Sequence, residues 1–185
     1  MIEVAASVPG ESTQVLTDGS ILTVRPIRPT DAGALVGFHT GLSMETTRLR
    51  YFSPHPRLSD REVEHYTTVD HHRREALAAF EGDELVGVAR YEALEDVGDA
   101  EVAFVVADRW HAHGVGTMLL RELAARARDE GIRRLVADTM ADNQHMLGVF
   151  NHSGLPFTRS YDRGVVHYVL SLSPEPLTNG GHRAG

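Results

Sequence analysis

The 185-residue chain has the length and the 42% hydrophobic content of one globular domain, and its net charge of -8 argues against nucleic-acid binding. It contains no cysteine, which excludes disulfides, thiolate nucleophiles and cysteine-ligated metal centres. It has neither a run of eighteen apolar residues nor a basic, apolar leader, so we expect a cytoplasmic protein that does not bind membranes. We expect flexible segments at 1–14 and 173–185 around a single folded domain at 15–172, because both ends are rich in small and polar residues.

The first part of the domain combines one strand with several short helices. A strand is predicted at 20–27, and Thr30 and Asp31 then resemble a helix start. Two further helices are predicted at 44–51 and 60–66, on either side of a proline-broken loop. Ser59 and Glu62 form a capping-box pattern at the start of the second of these helices.

The remainder of the chain carries most of the predicted strands. A hairpin at 76–80 and 85–91 turns at Gly82-Asp83, and a strand at 100–107 is apolar on both faces beyond Glu101, which is typical of a central strand. The elements that follow are an amphipathic helix, a strand, a helix and a closing hairpin, at 116–130, 133–140, 142–151 and 155–172. This order predicts an α/β (α+β) fold, a three-layer sandwich whose central mixed sheet has helices on both faces.

The corner between the central strand and the amphipathic helix reads "DRWHAHGVG". Gly114 and Gly116 let the backbone approach a ligand, and the helix start presents unpaired N–H groups that favour anions, phosphate above all. Arg109, His111, His113 and Arg121 add donors and positive charge, although the glycines could also serve only the tight turn. A dinucleotide-binding fingerprint would need a third glycine where Leu119 stands, and a P-loop would need a lysine, which the chain lacks.

The corner also resembles a known loop. "HAHGVG" is similar to the acyl-CoA pyrophosphate loop of the GNAT superfamily of N-acyltransferases, and "AEVAFVVADRWHAHGVGTMLL" and "GIRRLVADTMADNQHMLGVFNHSGL" resemble that superfamily in order and spacing. The stretch from "VRPIRPTDAGALVGFH" to "HHRREALAA" resembles a narrower group, the Pat-type protein lysine acetyltransferases of bacteria that act on acyl-CoA synthetases. The resemblance implies an acetyl-CoA dependent N-acetyltransferase, with acetyl-CoA as co-substrate, no metal, and a protein substrate such as an acyl-CoA synthetase.

The resemblance also implies where acetyl-CoA binds. The backbone from His111 to Thr117 would cradle the pyrophosphate, and the two strands that flank the cofactor would splay apart, so that the thioester lies beside the central strand. Asn143 would lie near the pantetheine arm, or cap its own helix, or do both. The implied cofactor-binding residues are Phe104, Val105, Val106, His111, Ala112, His113, Gly114, Val115, Gly116, Thr117, Asn143 and Phe150.

Glu101 is the predicted general base. An amine attacks a thioester only when it is neutral, so a base must accept a proton, and Glu101 is the charged residue at the head of an apolar strand, where the family often carries its base. We expect its carboxylate to be partly desolvated. Asp99, Glu92 and Asp70 are lesser candidates.

Two positions depart from the family pattern, and the acceptor stays open. Phe150 stands where the family often has a tyrosine that protonates the leaving thiolate, and His111 stands where the loop usually has Gln or Arg. A small-molecule amine acceptor and a non-catalytic acyl-CoA sensor are therefore kept as alternatives to a protein lysine acetyltransferase. The sequence also leaves a homodimer open.

Overall fold

The computed structural model describes residues 10–95 and 98–173. In this part of the chain it has eight strands and five helices. The strands are β1 (Ser12–Val15), β2 (Ile21–Pro26), β3 (Arg74–Glu81), β4 (Glu84–Ala93), β5 (Asp99–Val106), β6 (Arg134–Met140), β7 (Phe157–Asp162) and β8 (Val165–Ser171). The helices are α1 (Ala32–Thr40), α2 (Met44–Tyr51), α3 (Asp60–Thr67), α4 (Val115–Asp129) and α5 (Gln144–Asn151).

The strands form one mixed sheet in the order β1-β2-β3-β4-β5-β6-β8-β7. The pairing of β5 with β6 is parallel and every other pairing is antiparallel. The predicted fold class is confirmed, as are the two hairpins and the turn at Gly82-Asp83. The Ser59–Glu62 capping box is also confirmed, with the Glu62 carboxylate accepting from the Ser59 N–H at 2.8 Å.

Strand β1 was not predicted, because Ser12–Val15 lies mostly in the segment that we expected to be flexible. It pairs with β2 from Ser12↔Val24 to Val15↔Ile21, so the ordered sheet begins before residue 15. Residues 1–9 and 174–185, which make up most of the two expected flexible segments, lie outside the described residues.

The sheet separates two apolar cores. One core lies between the sheet and helices α4 and α5, and it includes Phe104, Leu119 and Phe150. The other lies beneath α1 and α3 and includes Leu35 and Phe80. Because side chains alternate along a strand, Val102 and Phe104 of β5 face the α4 side, while Glu101, Ala103 and Val105 face the opposite side.

Strands β5 and β6 separate after a short paired stretch. They pair only from Asp99↔Arg134 to Glu101↔Val136, whereas β4 continues beside β5 as far as Val106. Strand β6 continues beside β8 as far as Met140. The result is a notch in the middle of the sheet, between residues 102–106 and 137–140, which confirms the expected splay. Within the described residues no helix is long and apolar enough to cross a membrane.

Candidate active site

A cleft of about 480 Å³ runs along the notch, between β5 and β6 and the starts of α4 and α5. All of the predicted cofactor-binding residues except His113 line it, and Glu101 lines it as well. Thr46, Leu49 and Arg50 of α2 form a further wall that the sequence analysis did not predict. A carboxylate holds α2 in this position: Asp108 accepts from the N–H and hydroxyl of Ser43, at 2.9 and 2.6 Å.

The corner that precedes α4 presents a row of free backbone amides. The N–H groups of Ala112 and of residues 114–117 have no hydrogen-bond partner among the described residues. Ala112 and Gly114 have positive φ angles of 63° and 87°, which turn the chain sharply into the helix. Several amides at a helix start, with the helix dipole behind them, suit an anion such as a pyrophosphate.

Most of the side chains that were expected to support this anion site are bonded to other protein groups. Arg109 pairs with Glu84 at 2.6 Å, and Arg121 donates to the Ser153 carbonyl at 3.0 Å, so neither lines the cleft. The amide of His113 bonds to the Trp110 carbonyl at 3.4 Å and its ring packs against the Trp110 ring, so its place in the predicted set is not supported. His111 does line the cleft, although its N–H donates to the Asp108 carbonyl and its Nε2 lies 3.0 Å from the Val106 carbonyl.

The middle of the cleft is apolar. Phe150 is 1% exposed and packs edge-on against Phe104, with ring centroids 6.1 Å apart. Its ring also makes a tilted contact with Tyr168, with centroids 4.7 Å apart. Asn143 borders this stretch and caps α5, since its Oδ1 accepts from the Met146 N–H at 3.1 Å. The capping role of Asn143 is therefore confirmed, and its amide group stays close to the cleft.

Two buried polar groups in the lining lack partners. The Thr139 hydroxyl and the Trp110 indole N–H are buried, and neither forms a hydrogen bond in the described structure. Buried polar groups are almost always paired, so these two point to a ligand that carries hydrogen-bonding atoms. Neither residue was predicted, because a threonine within a strand and a tryptophan within a turn carry no pattern that marks such a role.

A second depression, a groove of about 340 Å³, meets the cleft at Glu101 and Ala103. Residues of α3 and β4 form the rest of its walls: Arg61, Glu62, His65, Tyr66, Arg90 and Glu92. Glu101 therefore lies where the two depressions join. Its side chain is exposed, so the expected partial desolvation was wrong. Its carboxylate has neither a hydrogen bond nor an ion pair within residues 10–95 and 98–173.

The other carboxylates considered as bases have structural partners. Asp99 forms a two-pronged pair with Arg134, with both contacts at 2.7 Å. Glu92 lies opposite Glu101 on the neighbouring strand and contacts His65 Nε2 at 2.8 Å. Asp70 accepts from the amides of His72 and Arg74. These contacts leave Glu101 as the unengaged carboxylate among the four candidates.

Two arginines lie near Glu101. Arg90 stacks on the Tyr66 ring, with its guanidinium carbon 3.8 Å from the ring centroid, and Arg50 lines the cleft. Burial, together with the positive charge of Arg90, lowers the pKa of Arg50. The groove itself mixes charges, because Arg61 and Arg90 stand there among the carboxylates of Glu62, Glu92 and Glu101.

No metal centre can be assembled from the described residues, since no group of three or more His, Asp or Glu side chains in them could hold an ion. The cleft and the adjoining groove together present an anion-binding corner, an apolar notch and a free carboxylate.

Comparisons with known proteins agree with this geometry. Residues 42–155 match the Acetyltransferase (GNAT) family. An acetyltransferase of Pseudomonas aeruginosa is 30% identical over 146 residues, which cover 76% of this chain and 78% of that protein. The GNAT domain of Pat from S. lividans superposes with a TM-score of 0.83 at 37% identity, over 90% of this chain and 99% of that domain. An acetyltransferase structure from Salmonella typhimurium, which contains acetyl-CoA, shares the fold with a TM-score of 0.67 at 16% identity, over 86% of this chain and 99% of that one.

Proposed function

Because the chain belongs to the GNAT acetyltransferase family, we propose that it transfers the acetyl group of acetyl-CoA to the side-chain amine of a protein lysine, with Glu101 as general base. The observation that carries this proposal is the position of Glu101, whose free carboxylate lies where the cleft and the groove meet. The likeness to the GNAT domain of Pat supports a protein lysine as acceptor.

The residues of the cleft fit acetyl-CoA. The free amides of residues 112 and 114–117 suit its pyrophosphate, and the apolar stretch beside Phe104 and Phe150 suits its pantetheine arm. The unpaired donors of Thr139 and Trp110 suit the polar atoms of that arm. When bound there, acetyl-CoA supplies an acyl group on a thioester, which a neutral amine can attack.

Glu101 would prepare the acceptor. The groove on the α3 side supplies a route for a lysine side chain, and the carboxylates of Glu62, Glu92 and Glu101 along it attract the ammonium form that enters. Glu101 then accepts a proton from the amine, directly or through one water molecule. The position of Glu101, where the cleft and the groove meet, favours catalysis over a sensing role.

The test combines an acceptor panel with a Glu101→Gln variant. Purified protein is incubated with acetyl-CoA and with lysine-bearing proteins, acyl-CoA synthetases among them, or with small amines, while thiol release is followed. Because the chain has no lysine, acetyl-lysine found in the mixture belongs to the target. We expect Glu101→Gln to lower kcat about a hundredfold or more, with affinity for CoA retained.

Glu64→Gln is the matched control, since Glu64 is exposed on α3 and does not line the groove. It should keep the wild-type rate. Wild-type turnover by Glu101→Gln across the pH range would exclude Glu101 as the base. Acetylation of small amines but of no protein would show that the acceptor is a small molecule and not a protein lysine.

A further inference from the structure

Thr139 carries a hydroxyl group that the fold itself does not use. The residue is 2% exposed in the wall of the notch, and its oxygen is buried without a hydrogen-bond partner in the described structure. Valine has nearly the same shape and would avoid the cost of desolvating an unpaired hydroxyl. A partner that enters with the substrate would offset this cost.

Strand register places Thr139 level with the apolar part of the cleft. When the parallel pairing of Glu101 with Val136 is extended by three residues along both strands, Thr139 lies across the notch from Phe104. Ala137, two residues earlier on β6, belongs to the core beneath α4 and α5, and alternation puts the Thr139 side chain on that same face. The Phe150 ring, which packs on Phe104, lies on this face as well and cannot donate a hydrogen bond.

We propose that the Thr139 hydroxyl donates a hydrogen bond to the sulfur of acyl-CoA, a role that rests on the proposed function. During transfer the amine nitrogen bonds to the acyl carbon, the carbon–sulfur bond breaks, and its electron pair stays on sulfur. The proton of the amine goes to Glu101, and Thr139 keeps its own proton. A charge that develops beside Phe104 and Phe150 meets few polar atoms, so a donor there stabilises it more than it would in water.

The test compares two ligands in binding measurements that need no acceptor. CoA and desulfo-CoA, which lacks the sulfur, are titrated by calorimetry into wild type, Thr139→Val and Thr139→Ser. We expect wild type to bind CoA more tightly than desulfo-CoA, and Thr139→Val to lose that preference, with affinity for CoA reduced about threefold to tenfold. Thr139→Ser keeps a hydroxyl and should restore the preference.

Kinetic and stability measurements complete the test. With an acceptor, kcat of Thr139→Val should fall roughly tenfold to hundredfold, since the hydrogen bond is made to a developing thiolate. The unfolding temperature of Thr139→Val should equal or exceed that of wild type, because no hydrogen bond of the free protein is lost.

Two results would overturn the assignment: an unchanged preference for CoA in Thr139→Val, or an equal loss of affinity for both ligands, which would put the hydroxyl beside another part of the substrate. If Thr139→Val does not fold, the affinities for CoA and desulfo-CoA are compared in wild type and Thr139→Ser. Equal affinities for the two ligands in both proteins would exclude a sulfur contact. Failure to find a lysine acceptor would count against the proposed function and would leave these binding results intact.

Discussion

Gly116 shows how one missing side chain shapes the cleft. A Cβ atom at this position would lie 2.8 Å from Cγ2 of Val149, so α4 and α5 approach each other here as only glycine allows. We expect Gly116→Ala to lower the free energy of unfolding by about 1–3 kcal/mol through overpacking, and to weaken CoA binding because the first turn of α4 must move. Urea unfolding and CoA titration measure the two effects.

Gly37 provides the matched comparison. It lies inside α1, and an added Cβ would have no atom within 4 Å. Gly37→Ala should therefore raise the free energy of unfolding by about 0.5–1 kcal/mol, as expected when alanine replaces a helical glycine. Equal stability of the two variants would show that the close approach of α4 and α5 does not require glycine.

At the level of single residues, the sequence was sufficient for groups whose position depends only on their own strand or helix. Glu101 could be predicted because alternation along one strand fixes its face, and Gly114 and Gly116 because they precede a helix start. The uses of Arg109 and Arg121 could not be predicted, since their partners come from the β3–β4 hairpin and from the turn after α5. Thr139 and Arg50 also needed the structure, because only the packing of distant elements brings them to the cleft.

Helices and strands followed the sequence patterns closely, with two exceptions. The predicted helix at 142–151 begins at Gln144 in the structure, because Asn143 leaves helical geometry in order to cap it. Strand β1 was missed because four residues at a sheet edge bury little surface, and Val15 remains 69% exposed. Pairing with β2, and not its own apolar pattern, holds this segment in the sheet.

Helix α5 offers a test of the dual use of Asn143. Asn143→Ala removes the cap on the Met146 N–H and should lower the free energy of unfolding by about 1 kcal/mol. Asn143→Asp keeps an acceptor at the helix start and should restore stability to nearly the wild-type value. If the side-chain amide also contacts the pantetheine arm, Asn143→Asp will still bind CoA more weakly than wild type.

Thermal unfolding and CoA titration of the same three proteins separate the two roles of Asn143. Wild-type affinity in Asn143→Asp would mean that the residue acts through its cap alone. Wild-type stability in Asn143→Ala would mean that the cap contributes little to α5.

For the whole molecule, the sheet order could be predicted only in part. The order of elements indicated a mixed sheet, but the notch depends on where β5 and β6 stop pairing, which is decided by β4 on one side and β8 on the other. A splay of this kind leaves no mark in the apolar pattern of either strand. It was expected solely from the family resemblance, and the second depression beside Glu101 was not expected at all.

The stability of the whole fold should depend on a buried ion pair between β2 and the turn before α1. Asp31 is 7% exposed and accepts from both terminal nitrogens of Arg25 at 2.8 Å and from the Arg28 N–H at 2.7 Å. The hydrogen bonds from Arg25, followed by that from Arg28, lower the pKa of Asp31 although burial opposes them. Since the folded pKa lies below the unfolded value, this stabilisation is present at neutral pH and declines as pH falls below about 4.

Asp31→Asn tests this contribution. At pH 7 the variant should lose about 3 kcal/mol of unfolding free energy, because Arg25 is left buried without its partner, and its Tm should fall less than that of wild type between pH 5 and pH 3. Asp83→Asn removes the same charge from an exposed turn and should follow the wild-type curve. Parallel curves for wild type and Asp31→Asn would mean that other carboxylates, such as Asp108 with its hydrogen bonds to α2, dominate acid unfolding.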